Sequence, residues 1–267
     1  MRLKQIYGLC ILMLLLHRTG SGKAFPTRPD HPETSLRQLF SREPLAQLNT
    51  AGSEYYLSEE EKLIVALCNL ARHDGALFIR EILIPSGTDT SLPAIRNLIL
   101  RLKQSRNIQP LMPAYSLHKT ARQHAMDMGF RGDSGHISSD GRTFHQRILP
   151  YFPNHGGFAE NYHLGSGDAS DIVLAMLSGS GDGSRYRENI LSPDLHYIGV
   201  SISAHRKSCS NTVMDFAPKP RIPVGINGSK PKRKKSEAYF MDCPKGRDYD
   251  QRKKNAFSFL SFFSRNK

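Results

Sequence analysis

The 267-residue chain has no tryptophan and only four cysteines. Four cysteines are too few for a disulfide-dense scaffold that replaces a hydrophobic core. Long apolar runs are also missing. The stretches Leu9–Leu16 and Phe257–Phe263 fall far short of the roughly 20 residues that span a bilayer as a helix. The serine- and glycine-rich segments Gly165–Gly167 and Ser178–Ser184 lack the Gly-x-Ser-x-Gly elbow of a serine hydrolase and read as loops. There is no regular alternation of strand and helix, which excludes a parallel doubly wound sheet and leaves an α+β class. What is present, 13 Phe and 10 Tyr within 39% apolar residues, excludes a wholly disordered chain.

Charge is unevenly placed. The formal net charge is +13. Residues 1–24 carry 4 basic and 0 acidic side chains, and residues 219–267 carry 14 basic and 4 acidic ones. The body, 25–218, is nearly neutral at −1. A whole-chain average would suggest a nucleic-acid binder, but the excess lies at the two ends.

The N-terminal end has the layout of a secretory signal peptide. Arg2 and Lys4 precede the apolar run, and small residues stand at Gly22 and Ala24, so cleavage is expected after Ala24. Export disfavours nucleic acid as a partner. It also makes Asn227-Gly-Ser229 a glycosylation sequon in a eukaryotic host. Cys68, Cys209 and Cys243 remain after cleavage. One disulfide with a free thiol, three free thiols and an intermolecular bridge are all open, with Cys209–Cys243 the first pair to test.

Residues 25–56 are rich in Pro, Thr and Arg and lack a sustained period; they read as an extended lead-in. Ser58 and Glu61 fit a capping box, followed by Leu63, Ile64, Leu67 and Leu70 on one helical face. Further helices are expected over 76–83, over 92–105, from Ala114 with a stripe of Leu117, Ala121, His124, Ala125 and Met128, and over 169–178. Strands are expected over 197–202 and 212–216. Beyond Gly225 the chain reads as a basic, disordered tail carrying Lys230–Lys235 and the apolar segment Phe257–Phe263.

Several short patterns occur in one order: Cys68-Asn-Leu-Ala-Arg72, Leu111-Met-Pro-Ala114, Gly135-His136, Asp140-Gly-Arg-Thr143 with Arg147 beyond it, Ala159-Glu-Asn161, Arg187-Glu-Asn189 leading into Ile198-Gly-Val200, and Val213-Met-Asp-Phe216. This order resembles the CAP superfamily, the SCP-like proteins that include cysteine-rich secretory proteins, antigen 5 and pathogenesis-related proteins, and is nearest to its bacterial-type branch. The resemblance implies a three-layer α-β-α sandwich with a central antiparallel sheet over residues 57–218. It also implies a surface cleft in which family members often place two His and two Glu, some of them around a divalent metal.

Carried over residue by residue, His136 matches the first histidine and Glu160 the first glutamate. Tyr186 stands where the second histidine would, and the second glutamate has no match near Ser178 and Gly179. One imidazole and one carboxylate are a thin donor set for Zn²⁺, which takes three or four protein ligands. His145, His155 or His163 would have to complete it. The preferred expectation is a metal-free polar cleft of His136, Glu160 and Tyr186, flanked by Asn161 and Arg187. It belongs to a secreted binding protein without a cofactor whose ligand is a lipid, a sterol or a protein. Two alternatives stand beside it. One is a metal-assisted or acid–base hydrolase built on His136 and Glu160. The other is docking of residues 230–267 to a glycosaminoglycan or an anionic membrane.

Two smaller features remain. Asp127 and Arg131 stand at helical i,i+4 spacing and read as a modest ion pair. Arg131-Gly-Asp-Ser134 spells an adhesive tetrapeptide, but it falls where a turn is needed, and glycine and aspartate are ordinary turn residues.

Overall fold

The computed structural model describes residues 32–152, 156–179 and 183–219. The signal segment, Asn227, His155 and all of the tail except Lys219 lie outside the described residues. The chain divides into two units, Met1–Leu36 and Arg37–Lys267. Helix α1 (Pro32–Leu39) straddles the division, and every later element belongs to the second unit.

Helix α2 (Glu59–His73) begins where its sequence signal predicts. The Ser58 hydroxyl accepts from Glu61 N at 3.2 Å, and the Glu61 carboxylate accepts from Ser58 N at 2.7 Å. Glu61 does more than cap: its other oxygen accepts from Ile202 N at 2.8 Å and ties the helix start to a strand. Every residue from Leu63 to Arg72 is buried, so α2 is a central helix.

The expected second helix is a short α3 (Gly75–Phe78) continued by a π-helical turn (Ile79–Leu83). Then come α4 (Pro93–Gln104) and α5 (Tyr115–Arg131), whose predicted stripe is buried at all five positions. Three elements lie outside the expected ones: α6 (Phe144–Ile148), an edge strand over Ala159–Leu164, and α8 (Gly183–Leu191). Helix α7 (Ala169–Ser178), between the last two, matches its expected span.

The sheet has four strands: β1 (Met112–Pro113), β2 (Ala159–Leu164), β3 (Leu195–His205) and β4 (Cys209–Pro218). They lie in the order β1-β3-β4-β2. The long hairpin of β3 and β4 is antiparallel, and β2 pairs antiparallel to β4 at the edge. The two-residue β1 adds to β3 in parallel, so the expected antiparallel sheet is mixed at one edge. Side chains alternate across it. Helix α5 lies on one face, its Ala121, Ala125 and Met128 packed with Val213, and its Leu117 with Ala217. Helices α2, α7 and α8 pack on the other. Helix α5 runs so close to β3 that a Cβ on Gly199 would sit 2.1 Å from the Leu117 carbonyl carbon, and one on Gly129 would sit 2.0 Å from Ala204 O. Only glycine allows that approach.

The polar residues of the first family pattern are fold staples. The Asn69 amide donates to Leu48 O at 2.9 Å and accepts from Leu111 N at 2.7 Å. Arg72 is fully buried and has no acidic partner among the described residues; its guanidinium donates to the carbonyls of Gln109, Ile190, Ser192 and Leu195 at 2.8–2.9 Å. Burial draws its pKa down to about 10.

Asn69 also corrects the lead-in. Residues 25–56 are not extended throughout. They include α1 and a 3-10 turn (Leu45–Leu48), and Phe40, Leu48 and Ala51 are buried. These apolar residues follow no single period, which hides them from pattern reading. The cysteines are settled in part. Cys68 is free and fully buried, with burial pushing its thiol up to about 12. Cys209 is disulfide-bonded, which excludes three free thiols; its partner lies outside the described residues.

Candidate functional site

The cleft is assembled at the end of α5, where Gly132 (φ 71°) terminates the helix in the left-handed conformation. The chain then turns through Gly135 to His136 and runs on to a tight loop closed by Ser138 N donating to Arg142 O at 2.9 Å. Thr143 and Gln146 form a second capping box that starts α6, and α6 carries Arg147 inward. The edge strand β2 presents Glu160 toward α5. One residue on, Asn161 points to the other face. There its amide donates to Tyr186 O at 3.0 Å and accepts from Asn189 at 2.7 Å. Asn161 therefore fixes α8 against β2 and sets the place of Tyr186.

Three of the candidate residues meet. His136 Nδ1 lies 2.8 Å from Glu160 Oε1, and the Tyr186 hydroxyl lies 3.2 Å from His136 Nε2. The three aromatic rings of His136, Tyr162 and Tyr186 contact edge to face, with centroids 5.1–6.0 Å apart. Glu160 is buried, and the His136 side chain keeps 38% exposure at the cleft mouth.

The second Glu160 oxygen accepts from Arg147 Nη2 at 2.5 Å. Arg147 Nη1 also donates to His136 O and to the Ser138 hydroxyl, at 2.9 and 3.1 Å, so one buried guanidinium holds both the carboxylate and the loop bearing the histidine. Burial alone would raise the Glu160 pKa. The His136 hydrogen bond, together with the charge and hydrogen bond of Arg147, outweighs it and holds the carboxyl below its ordinary value. An ionised Glu160 fixes the tautomer: Nδ1–H donates to it, and Nε2 accepts from Tyr186.

His124 lies beneath, fully buried, its Nε2 2.8 Å from Gly135 O and 3.9 Å from Glu160. Burial lowers its pKa against the pull of Glu160, which keeps it neutral, in keeping with its place on an apolar stripe. Asp215 faces Glu160 directly in the β2–β4 register and is fully buried. Burial first, and the Glu160 charge second, push its carboxyl well above the usual carboxylate range. The Thr120 hydroxyl contacts both Asp215 Oδ2 and Leu117 O. One hydroxyl proton cannot serve two acceptors. A proton on Asp215 resolves this: Asp215 donates to Thr120, and Thr120 donates to Leu117 O.

These donors do not fit a metal ion. Both ring nitrogens of His136 and both oxygens of Glu160 are already engaged, and Arg147 brings a fixed positive charge to the carboxylate. Among the described residues, no three of His, Cys, Asp and Glu are grouped to hold a metal. His145 is exposed on α6, and His163 is half-buried near Asp171. Near the second glutamate position, Ser178 donates to Ala175 O at 3.2 Å and Gly179 closes α7.

Arg187 departs from the expected cleft. Its guanidinium reaches Leu177 O at 3.4 Å, against the last turn of α7. Arg147 and Asp215, by contrast, belong to the network although the sequence patterns that contain them assign neither a role. Both stand within or beside the ordered family patterns, but nothing in their spacing marks their role.

A profile of the cysteine-rich secretory protein family, CAP, matches residues 65–216, and the chain belongs to that family. Two solved structures are similar. One is an outer surface protein from Borrelia burgdorferi, at 22% identity and TM-score 0.38, covering 49% of this chain and 96% of that one. The other is an extracellular protein containing an SCP domain from Bacillus anthracis str. Ames, at 18% identity and TM-score 0.36, covering 49% of this chain. This chain spans less than half of the Bacillus protein, 44% of its length. No curated protein matches the sequence. No helix among the described residues is long and apolar enough to cross a membrane.

Proposed function

We propose that the chain is a secreted, non-catalytic CAP-family binding protein whose cleft is held shut by its own hydrogen bonds. The observation that carries this reading is the commitment of His136 to Glu160 on one side and Tyr186 on the other, with Arg147 on the remaining carboxylate oxygen. A general base needs a free nitrogen facing substrate. Here that nitrogen faces a phenol that is itself 8% exposed. The ligand is a lipid, a sterol or a protein, recognised around the cleft rather than turned over within it.

The test is a paired measurement on the purified secreted protein: zinc content after incubation with Zn²⁺ and removal of excess, and hydrolysis of a panel of esters and peptides. The expected result is less than a stoichiometric amount of metal and hydrolysis at background. Stoichiometric zinc lost in His136→Ala, or hydrolysis abolished by it, would instead favour the metal-assisted or acid–base enzyme. A second reading rests on charge. The tail carries a net +10 beside a neutral body, which favours an anionic glycosaminoglycan or membrane surface as its partner.

A further inference from the structure

Among the described residues Cys209 is disulfide-bonded and Cys68 is free. The chain has two further cysteines, Cys10 and Cys243. Cys10 lies inside the signal segment and leaves with it on cleavage after Ala24. Within one exported chain, in an oxidising compartment, Cys243 is then the partner left for Cys209.

The place of Cys209 gives that bond a consequence. It opens β4 directly after the hairpin turn, in the left-handed conformation (φ 65°). The turn is fixed to the end of α5: Arg206 N donates to Gly129 O at 3.1 Å, and His205 Nε2 lies 2.8 Å from Asp133 O. From there β4 runs ten residues to Pro218, about 30 Å away. The 24 residues from 219 to 242 are long enough to return over that distance. A Cys209–Cys243 bond therefore moves the root of residues 244–267 from the far end of β4 to the hairpin tip.

Those residues and that tip share one character. Residues 244–267 carry 7 basic and 2 acidic side chains and the apolar run Phe257–Phe263. Beside the tip, on the outward side of α5, Phe130 is 75% exposed and Met126, one turn earlier, is 50% exposed. The Arg206 guanidinium stands 5.2 Å from the centroid of the Phe130 ring, and Arg122 is exposed one turn before Met126. Asp133 pairs with Arg131 at 2.8 Å and also attracts Lys207, while Asp127 attracts Arg131. The two carboxylates thus answer those two cations, and Arg122 and Arg206 are the excess. A glycosaminoglycan would meet the positive charge and leave the apolar side chains in water. An anionic membrane meets both, with headgroups on the cations and the interface around Phe and Met.

We propose that a Cys209–Cys243 disulfide gathers the outer tail and the exposed end of α5 into one surface that docks on an anionic lipid membrane. It rests on the reading of the tail as a binder of anionic surfaces, and of the two surfaces it selects the membrane. Non-reducing peptide mapping of the secreted protein is expected to recover Cys209 linked to Cys243 in a monomer. A free Cys209, or its link to Cys10 or to a second copy, overturns the proposal. The same protein is then sedimented with vesicles of phosphatidylcholine alone and of phosphatidylcholine mixed with phosphatidylglycerol. Binding to the mixed vesicles is expected, at least about tenfold tighter than to phosphatidylcholine alone. Phe130→Ser should bind them about tenfold more weakly, the factor that burial of one Phe side chain supplies. Cys209→Ser/Cys243→Ser lengthens the linker between the domain and Phe257 from 13 to 38 residues. Its binding should fall about fivefold, by the three-halves power of that length. Both variants should keep wild-type retention on heparin, which reads charge alone. Vesicle binding unchanged in either variant, or an equal loss on heparin, overturns the proposal. A protein retained on heparin that binds no mixed vesicles overturns it too, and leaves the reading of the tail charge standing.

Discussion

One proton decides how Asp215 is held. Its folded pKa is raised by burial and then by the Glu160 charge, so its contribution to stability is fully present below the ordinary Asp value and declines as pH rises toward the folded one. Glu160 has the opposite sign: its lowered folded pKa contributes stability above the ordinary Glu value, lost as pH falls through the folded one. Asp215→Asn mimics the protonated acid, since its amide donates to Thr120 without a titration. It is expected to be more stable than wild type at neutral pH by about 1 kcal/mol or more, and to flatten the decline of stability toward high pH. Urea unfolding across pH measures this. A destabilised Asp215→Asn protein with an unchanged pH profile would show that Asp215 is ionised in the fold. Asp215 is invisible as a partner of Glu160 in the sequence, because 55 residues separate them and only the β2–β4 register makes them neighbours.

Whole elements are legible where their burial is one-sided. The stripe of α5 and the capping box of α2 announce themselves because apolar and capping residues fall at helical spacing. β2 and α8 do not. In β2, Glu160 and Asn161 are buried polar residues satisfied by Arg147, His136, Tyr186 and Asn189, so the strand shows no apolar alternation. In α8, Tyr186 and Asn189 face β2 for the same reason. Half of the cleft is therefore readable as residue types and unreadable as structure. His136 and Glu160 stand out through the family pattern, while Arg147, which joins them, carries no signal of its own.

Arg72 gives the element scale its test. It joins α2 to the ends of α8 and β3 and to the segment before β1 through four carbonyls. Arg72→Met fills the space but leaves those acceptors without donors, at about 1–3 kcal/mol for each buried orphan that water does not reach. A loss of at least about 3 kcal/mol in chemical denaturation is expected. A loss below about 1 kcal/mol would show that the carbonyls find other partners.

Over the whole molecule, charge and cleft separate. The body that carries the cleft has a net −1, and the excess lies in residues 219–267. Truncation after residue 224 is expected to abolish retention on heparin at moderate salt, with full-length Cys209→Ser retained as strongly as wild type as the control for loss of the Cys209 disulfide. Retention that survives truncation would move the basic surface onto the folded domain. The central claim, a cleft closed by its own hydrogen bonds, is tested most directly at the ring of His136. Long-range ¹H–¹⁵N spectra of the imidazole, recorded while Zn²⁺ is added, report both nitrogens at once. The account predicts a proton on Nδ1, an acceptor Nε2, and no stoichiometric change with zinc. A stoichiometric shift of Nε2 on adding zinc, lost in His136→Ala, would contradict it.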